Sequence, residues 1–229
     1  MGSCWVCLTA KHAEKTRRAQ STHPEIDRRK ILVHAVPEPI LKQTETILKQ
    51  INTDINMPEY LTFETERLFL RPTAEEDAAF ILELMNTPKW LENIGDRNVR
   101  SIEDAKAYIQ NRITPQLERL GFSNYTVIRK SDGAKLGSCG LYDREGLEGV
   151  DIGFAFLPQY EGQGYALESA QKVKDTGINH FGIRQISAIT IPENMASRRL
   201  IEKLGLQFVE KIKLPDDDAE LLLYRVEVG

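Results

Sequence analysis

The sequence is short of cysteine, of long apolar runs and of positive charge, and each shortage removes a class of protein. Three cysteines in 229 residues (Cys4, Cys7 and Cys139) are too few, and odd in number, for a disulfide framework; this favours a reducing compartment and a cytoplasmic location. Cys4 and Cys7 form a C-x-x-C, but a structural zinc site needs a second pair of ligands, and His12 and His23 are too loosely placed to supply it. No metal is therefore expected. No apolar stretch approaches the ~20 residues that cross a bilayer, so no membrane role is expected either. Lys and Arg number 30 against 34 Asp and Glu, a net charge of −4, which argues against the basic surface of a nucleic-acid binder. What remains, 41% hydrophobic and 28% charged residues, is the composition of a globular domain with a sizeable core.

Along the chain the character changes twice. Residues 1–36 hold basic clusters (Arg17-Arg18, Arg28-Arg29-Lys30) without a regular apolar pattern and read as a flexible tail. Lys11, Lys15, Arg17 and Arg18 would suit a mitochondrial presequence, but Glu14, Glu25 and Asp27 count against one. Residues 37–60 read as an amphipathic helix and a linker, with Ile40, Leu41, Ile47, Leu48, Ile51 and Ile55 at helical spacing and Pro58 as the interruption. A domain over 61–229 follows. Arg67–Arg71 reads as a strand stopped by Pro72; Thr73 with Glu76 reads as a capping box opening a helix that Asn86 and Pro88 close. Ser101 with Asp104 opens a second helix, which runs to about Leu120 and ends at Gly121. Strands are expected at 124–129, 135–142 and 150–157, the first two joined by the turn Ser131-Asp132-Gly133. A helix over 164–181, a strand over 185–191, a helix over 194–204 and strands over 206–213 and 221–228 complete an α/β pattern.

The segment Asp151-Ile-Gly-Phe-Ala-Phe-Leu-Pro-Gln-Tyr-Glu-Gly-Gln-Gly-Tyr-Ala166 carries the chemistry. An apolar strand enters a turn with Gly162 and Gly164, and a helix begins at once. The start of a helix leaves N–H groups unpaired and carries partial positive charge, and glycine lets the backbone approach a phosphate closely. A P-loop would need Lys and Ser or Thr where Tyr165 and Ala166 stand. A dinucleotide fingerprint would need a third glycine near Leu167 and an acid about twenty residues on, which leaves a nucleotide-dependent oxidoreductase little support. By itself the pattern is equally that of a plain strand-to-helix turn.

In sum, three stretches resemble the GNAT superfamily of N-acetyltransferases, and within it the branch of ribosomal-protein N-terminal alanine acetyltransferases. They are Glu64-Thr-Glu-Arg-Leu-Phe-Leu-Arg-Pro72, Gly162-Gln-Gly-Tyr-Ala166, and Asn194-Met-Ala-Ser197 with Glu202-Lys-Leu-Gly205; the resemblance spans roughly 63–228. It implies a mixed, mostly antiparallel central sheet flanked by helices, with the first sixty residues as an extension. It also implies acetyl-CoA as co-substrate and a primary amine, in a small molecule or at a protein N-terminus, as acceptor. Ala155, Phe156 and Leu157 would pair their backbone with the pantetheine arm; Gly162, Gln163, Gly164, Tyr165 and Ala166 would hold the pyrophosphate; Asn194 would bond the cofactor, or serve only as a helix N-cap. The family loop Gln/Arg-x-x-Gly-x-Gly/Ala is met at Gly164 and Ala166, but its first place is Glu161.

Acetylating an amine requires removal of a proton from the amine and help for the departing thiolate. Asp151 is the candidate base, with Glu161 as the alternative; Asp151 would otherwise be a solvated acid at the end of a strand. The tyrosine that many relatives use as general acid is replaced by Ile201, and Ser197 stands where the ribosomal-protein branch has a serine near the sulfur. Trp90, Asp96, Arg97 and Tyr142 are candidates for the acceptor side, with Asp96 and Arg97 as a carboxylate clamp or a surface pair. Cys139, mid-strand, reads as a buried hydrophobe. A non-catalytic acyl-CoA-binding module is the rival reading, since a fold does not guarantee activity. A monomer or homodimer is expected.

Overall fold

The computed structural model describes residues 60–215 and 219–228, so the tail, the amphipathic helix and nearly all of the linker expected before the domain lie outside the described residues. Among the described residues are strands β1 (Phe63–Glu64), β2 (Leu68–Pro72), β3 (Asn124–Arg129), β4 (Lys135–Tyr142), β5 (Val150–Phe156), β6 (Gln185–Thr190), β7 (Gln207–Ile212) and β8 (Leu221–Glu227). They form one mixed sheet in the order β1-β2-β3-β4-β5-β6-β8-β7. Every neighbouring pair is antiparallel except β5 with β6.

Two helical groups surround the sheet. Helices α1 (Ala78–Met85), α2 (Pro88–Asn93), α3 (Ile102–Tyr108) and α4 (Thr114–Leu120) lie between β2 and β3 in the chain; α5 (Tyr165–Asn179) and α6 (Met195–Lys203) come later. Ser101 caps α3 in the expected box with Asp104, its hydroxyl accepting from the Asp104 N–H at 3.0 Å. Pro115 has no N–H for the ordinary helical ladder, and the chain widens into a π turn at Ile109–Ile113 before continuing as α4. Gly121 stops α4 at φ +78°, a left-handed conformation that glycine adopts without strain.

Two local expectations are corrected. Thr73 does not cap a helix: it is buried, and its hydroxyl lies 2.9 Å from that of Thr126. Asp77 takes over, accepting from the Ala74 N–H at 3.0 Å, while Glu76 pairs with Arg71. Pro88 does not only end α1. It also starts α2 at its first turn, where a missing N–H costs nothing, with Thr87 as N-cap.

Alternation along the strands divides the sheet into two unlike faces. Leu70, Tyr125, Val127, Cys139, Leu141, Ile152 and Ile186 belong to the main core, which takes Tyr165, Ala170 and Val173 from α5. The alternate residues are largely polar or glycine: by the register, Arg71 lies opposite Thr126, Thr126 opposite Ser138, Asn124 opposite Gly140, Gly140 opposite Gly153, and Tyr142 opposite Asp151. A second core, built mainly from α1, the helix beginning at Ile102 and its π turn, contains Phe80, Ile81, Leu84, Ile109 and Ile113 and takes in Leu157.

The parallel pairing of β5 with β6 covers only Val150 opposite Ile186 and Asp151 opposite Ser187. Beyond Asp151 the two strands share no ladder, and a cleft of about 1330 Å³ opens, lined by residues of both. At the far edge of the sheet β7 is exposed along its length, with Phe208 53% accessible.

Candidate active site

One end of the cleft has the geometry of an anion cradle. After β5 a single turn, Pro158–Tyr160, leads to Gly162 at φ +71° and Gly164 at φ +83°. Only glycine takes such values freely. A Cβ on Gly162 would meet nothing within 4 Å, so backbone conformation rather than space requires a glycine there. Gly164 is the N-cap of the fifteen-residue helix α5 and offers no side chain to the first-turn N–H groups, which are left for a ligand. That uncapped start fits a pyrophosphate, and Gly162, Gly164 and Ala166 line the cleft beside it. Gln163 bonds its own loop, donating from Nε2 to the Gln159 carbonyl at 2.9 Å. The Tyr165 ring is buried, so only its backbone can serve the site.

Arg67, a residue not singled out from the sequence, braces the loop. Its guanidinium donates to the Gln163 carbonyl at 3.0 Å, pairs with Glu168 and lies 4.5 Å over the Tyr165 ring. From the other side Glu161, the residue that departs from the family loop, is paired with Lys89 of α2.

Backbone direction along β5 revises the expected arm contacts. The Leu157 N–H donates to the Leu136 carbonyl at 2.9 Å, so Leu157 faces β4 and is not free. By alternation Ala155 also faces β4, while Phe154 and Phe156 turn their N–H and C=O toward the gap that β6 has left. Of Ala155, Phe156 and Leu157, Phe156 is the one so directed, and Phe154 joins it.

Asn194 and Ser197 both line the cleft. Asn194 is the N-cap of α6: its Oδ1 accepts from the Ser197 N–H at 3.0 Å, which leaves its Nδ2 for a ligand. The cap therefore uses the Ser197 amide and not the Ser197 hydroxyl.

Asp151 is not a solvated strand-end acid. It is 1% exposed and held by Arg144, whose Nε and Nη2 lie 3.0 and 3.2 Å from its two oxygens. Burial pushes the carboxyl above its ordinary value, and Arg144 offsets part of the rise. Tyr142 lies beside this pair, and the Arg144 guanidinium sits 5.9 Å from its ring. Burial likewise pushes Tyr142 well up, and the Cys139 thiol up to about 12, so Cys139 is a packed side chain and not a nucleophile at neutral pH.

On the acceptor side Trp90 packs against the second core and lines the cleft. Its Nε1 is buried and without a hydrogen-bond partner among the described residues. Asp96 and Arg97 do not form a clamp: Asp96 pairs with Arg100, whereas Arg97 lines the cleft and reaches the Ile94 carbonyl at 3.4 Å. Arg112 also lines the cleft and was not anticipated. Among the described residues no group of three or more His, Cys, Asp or Glu could hold a metal, and no helix is long and apolar enough to cross a membrane.

A splayed mixed sheet with an uncapped helix at the mouth of its gap is the architecture of an N-acetyltransferase. Residues 67–207 match the acetyltransferase (GNAT) domain, and the chain belongs to that family. It is similar to the N-acetyltransferase YoaA of Bacillus subtilis (29% identity over 145 residues, 63% of this chain and 81% of that protein). It is also similar to the N-acetyltransferase p20 of Bacillus licheniformis (30% over 149 residues, 64% and 82%). Among solved structures, a GNAT-family acetyltransferase from Bacillus anthracis superposes with a TM-score of 0.61 at 23% identity, covering 73% of this chain and 98% of that one. A ribosomal L7/L12 α-N-protein acetyltransferase bound to coenzyme A superposes with a TM-score of 0.64 at 18% identity, covering 73% and 98%. The protein is an N-acetyltransferase.

Proposed function

We propose that this N-acetyltransferase uses acetyl-CoA as co-substrate and delivers the acetyl group to a primary amine by direct attack in a ternary complex. The observation that carries this reading is the placement of a buried carboxylate, Asp151, at the point where β5 and β6 part, with the uncapped start of α5 at the open end of the same cleft. From Asp151 to Phe156 is about 17 Å along the strand at the usual rise per residue. An extended pantetheine arm lying against Phe154 and Phe156 would bring its thioester toward Asp151. Gly162 to Ala166 would hold the pyrophosphate by backbone N–H groups, and Asn194 Nδ2 would bond the arm from the α6 side.

In this reading Asp151 takes a proton from the amine, directly or through a water. Its pKa, raised by burial, makes it a better base than an ordinary carboxylate whenever it is ionised. The amine nitrogen forms its bond to the acetyl carbon, the carbon–sulfur bond breaks, and the Ser197 hydroxyl donates toward the departing sulfur. The acceptor is a primary amine, and a protein α-amino group is the preferred class because its pKa, near ~8, needs less help than that of lysine. The test is thiol release from acetyl-CoA in the presence of a panel of N-terminal peptides, amino acids and polyamines. Release that depends on one class of amine supports the reading; a protein that binds acetyl-CoA but turns over none of them supports a non-catalytic binding module.

A further inference from the structure

A file of buried polar side chains runs along the polar face of the sheet from the cleft to a buried carboxylate, and its direction can be worked out. Asp77 is fully buried and held by the guanidinium of Arg71 at 2.8 and 2.9 Å and by Lys135 at 2.6 Å. Burial alone would raise its pKa, but the hydrogen bonds from Arg71, Lys135 and the Ala74 N–H outweigh burial and hold it below the ordinary value. It is an anion and can only accept.

The Thr126 hydroxyl therefore gives its single proton to Asp77 Oδ2, at 3.0 Å. Thr126 has none left for Thr73, so Thr73 must donate across the 2.9 Å contact between the two hydroxyls. Thr73, its proton spent, must accept, and it does so from Asn124 Nδ2 at 2.9 Å. This fixes the amide, with Oδ1 turned to the Tyr142 hydroxyl, which donates to it. A flipped amide would set its oxygen against a threonine oxygen with no proton to offer.

The place of the Tyr142 hydroxyl is fixed too. A Cβ on Gly153 would come within 2.9 Å of the Tyr142 ring, so that glycine is needed to seat it; Gly140, where a Cβ would already meet the Ser123 carbonyl at 2.4 Å, leaves the hydroxyl room on the other side, 2.9 Å from the same Cβ position. Tyr142 and Asn124 line the cleft, and Tyr142 stands opposite Asp151 in the register.

We propose that Asp77, through Thr126, Thr73 and Asn124, sets the polarity of this file, so that the Tyr142 oxygen serves in the cleft as a hydrogen-bond acceptor for an N–H of the incoming amine. The proposal rests on the amine-acetylating reading above. Tyr142 is then a substrate-orienting residue that cannot replace the missing general acid, because its proton is committed inward. Asp77, Thr73 and Thr126 are positioning residues.

The test compares Tyr142→Phe, Thr126→Val and Thr126→Ser with the native chain. The acceptor probe is a peptide with a free N-terminal alanine, or butylamine where the peptide is not turned over. Tyr142→Phe should raise KM for the amine by roughly ten- to hundred-fold, the usual worth of a hydrogen bond to a charged group, with KM for acetyl-CoA unchanged. Thr126→Val removes the link to Asp77 and should raise the amine KM in the same way, whereas Thr126→Ser keeps the link and should restore it. A readout that needs no substrate accompanies these. The Tyr142 hydroxyl proton, held by Asn124, should give a slowly exchanging proton NMR signal in the native chain and in Thr126→Ser, absent from Tyr142→Phe and lost or shifted in Thr126→Val. No such signal, or one that ignores Thr126→Val, overturns the polarity. An unchanged amine KM in folded Tyr142→Phe overturns the role of the oxygen. If the signal behaves as expected but the native chain acetylates neither probe, the preference for a protein α-amino acceptor in the reading above fails and the polarity stands.

Discussion

Arg144 grips Asp151 with two hydrogen bonds, 3.0 Å from Nε to Oδ1 and 3.2 Å from Nη2 to Oδ2, where β5 and β6 have their only ladder. Burial raises the Asp151 pKa and Arg144 restrains the rise. A base works only when ionised, so kcat should be full above the raised pKa and fall as pH drops through it. Arg144→Met removes the restraint, and the acid limb of the kcat profile should move to higher pH. Asp151→Asn should lower kcat by roughly 10²–10⁴-fold, the usual worth of a general base, with acetyl-CoA affinity unchanged by calorimetry. Near-native turnover of Asp151→Asn would remove Asp151 from the chemistry.

The cradle makes a binding prediction. Gly164→Glu puts a carboxylate at the uncapped start of α5, in a left-handed conformation and with its Cβ 3.3 Å from Arg67 Nη2. Acetyl-CoA binding should disappear while the far-ultraviolet circular dichroism is kept. Native affinity in the folded variant would mean that the pyrophosphate lies elsewhere.

The brace on the loop is weaker. Arg67 and Glu168 are partly exposed, and such pairs contribute little, on the order of 1 kcal/mol or less. Arg67→Met should therefore weaken acetyl-CoA by no more than about five-fold and leave kcat at saturation unchanged. A large fall in kcat would show that Arg67 reaches the reacting groups.

At the start of α6 two variants should separate cap from chemistry. Asn194→Ala removes the acceptor of the Ser197 N–H and should cost about 1 kcal/mol of stability by urea unfolding. Ser197→Ala leaves that bond in place, so its stability should be native. Its kcat should fall about ten- to hundred-fold, less than for loss of a full acid–base catalyst, because a thiol of pKa near ~8.5 is already a tolerable leaving group. Unchanged kcat would leave water as the proton donor.

The strands at 124–129 and 135–142 were legible because a short-range rule governs the hairpin that joins them: a turn whose Gly133 takes φ +71° and whose Asp132 pairs with Arg129. The glycines of the cradle were legible for the same reason. Helix α2 was not, because Pro88 ends one helix as readily as it begins the next. Thr73 followed by Glu76 satisfies the local rule for a cap, but burial beside Thr126 overrode it. The partners of Arg67 and Tyr142 depend on which strand lies beside which and on the elements packed over them. Chain distance conceals such neighbours, and Glu168 is 101 residues from Arg67.

The two-residue ladder between β5 and β6 also has a thermodynamic meaning. Phe154 and Phe156 carry backbone groups that a neighbouring strand would ordinarily satisfy, and the β1–β5 and β6–β8 portions of the sheet meet over only Val150–Asp151 and Ile186–Ser187. A ligand that fills the gap acts as a surrogate strand and belongs to the folded state alone. At a free concentration of 100 times its Kd it should add about 2.7 kcal/mol to the unfolding free energy. The melting temperature of this chain should therefore climb with the concentration of coenzyme A, so that the fold itself reports how much of the ligand its surroundings contain.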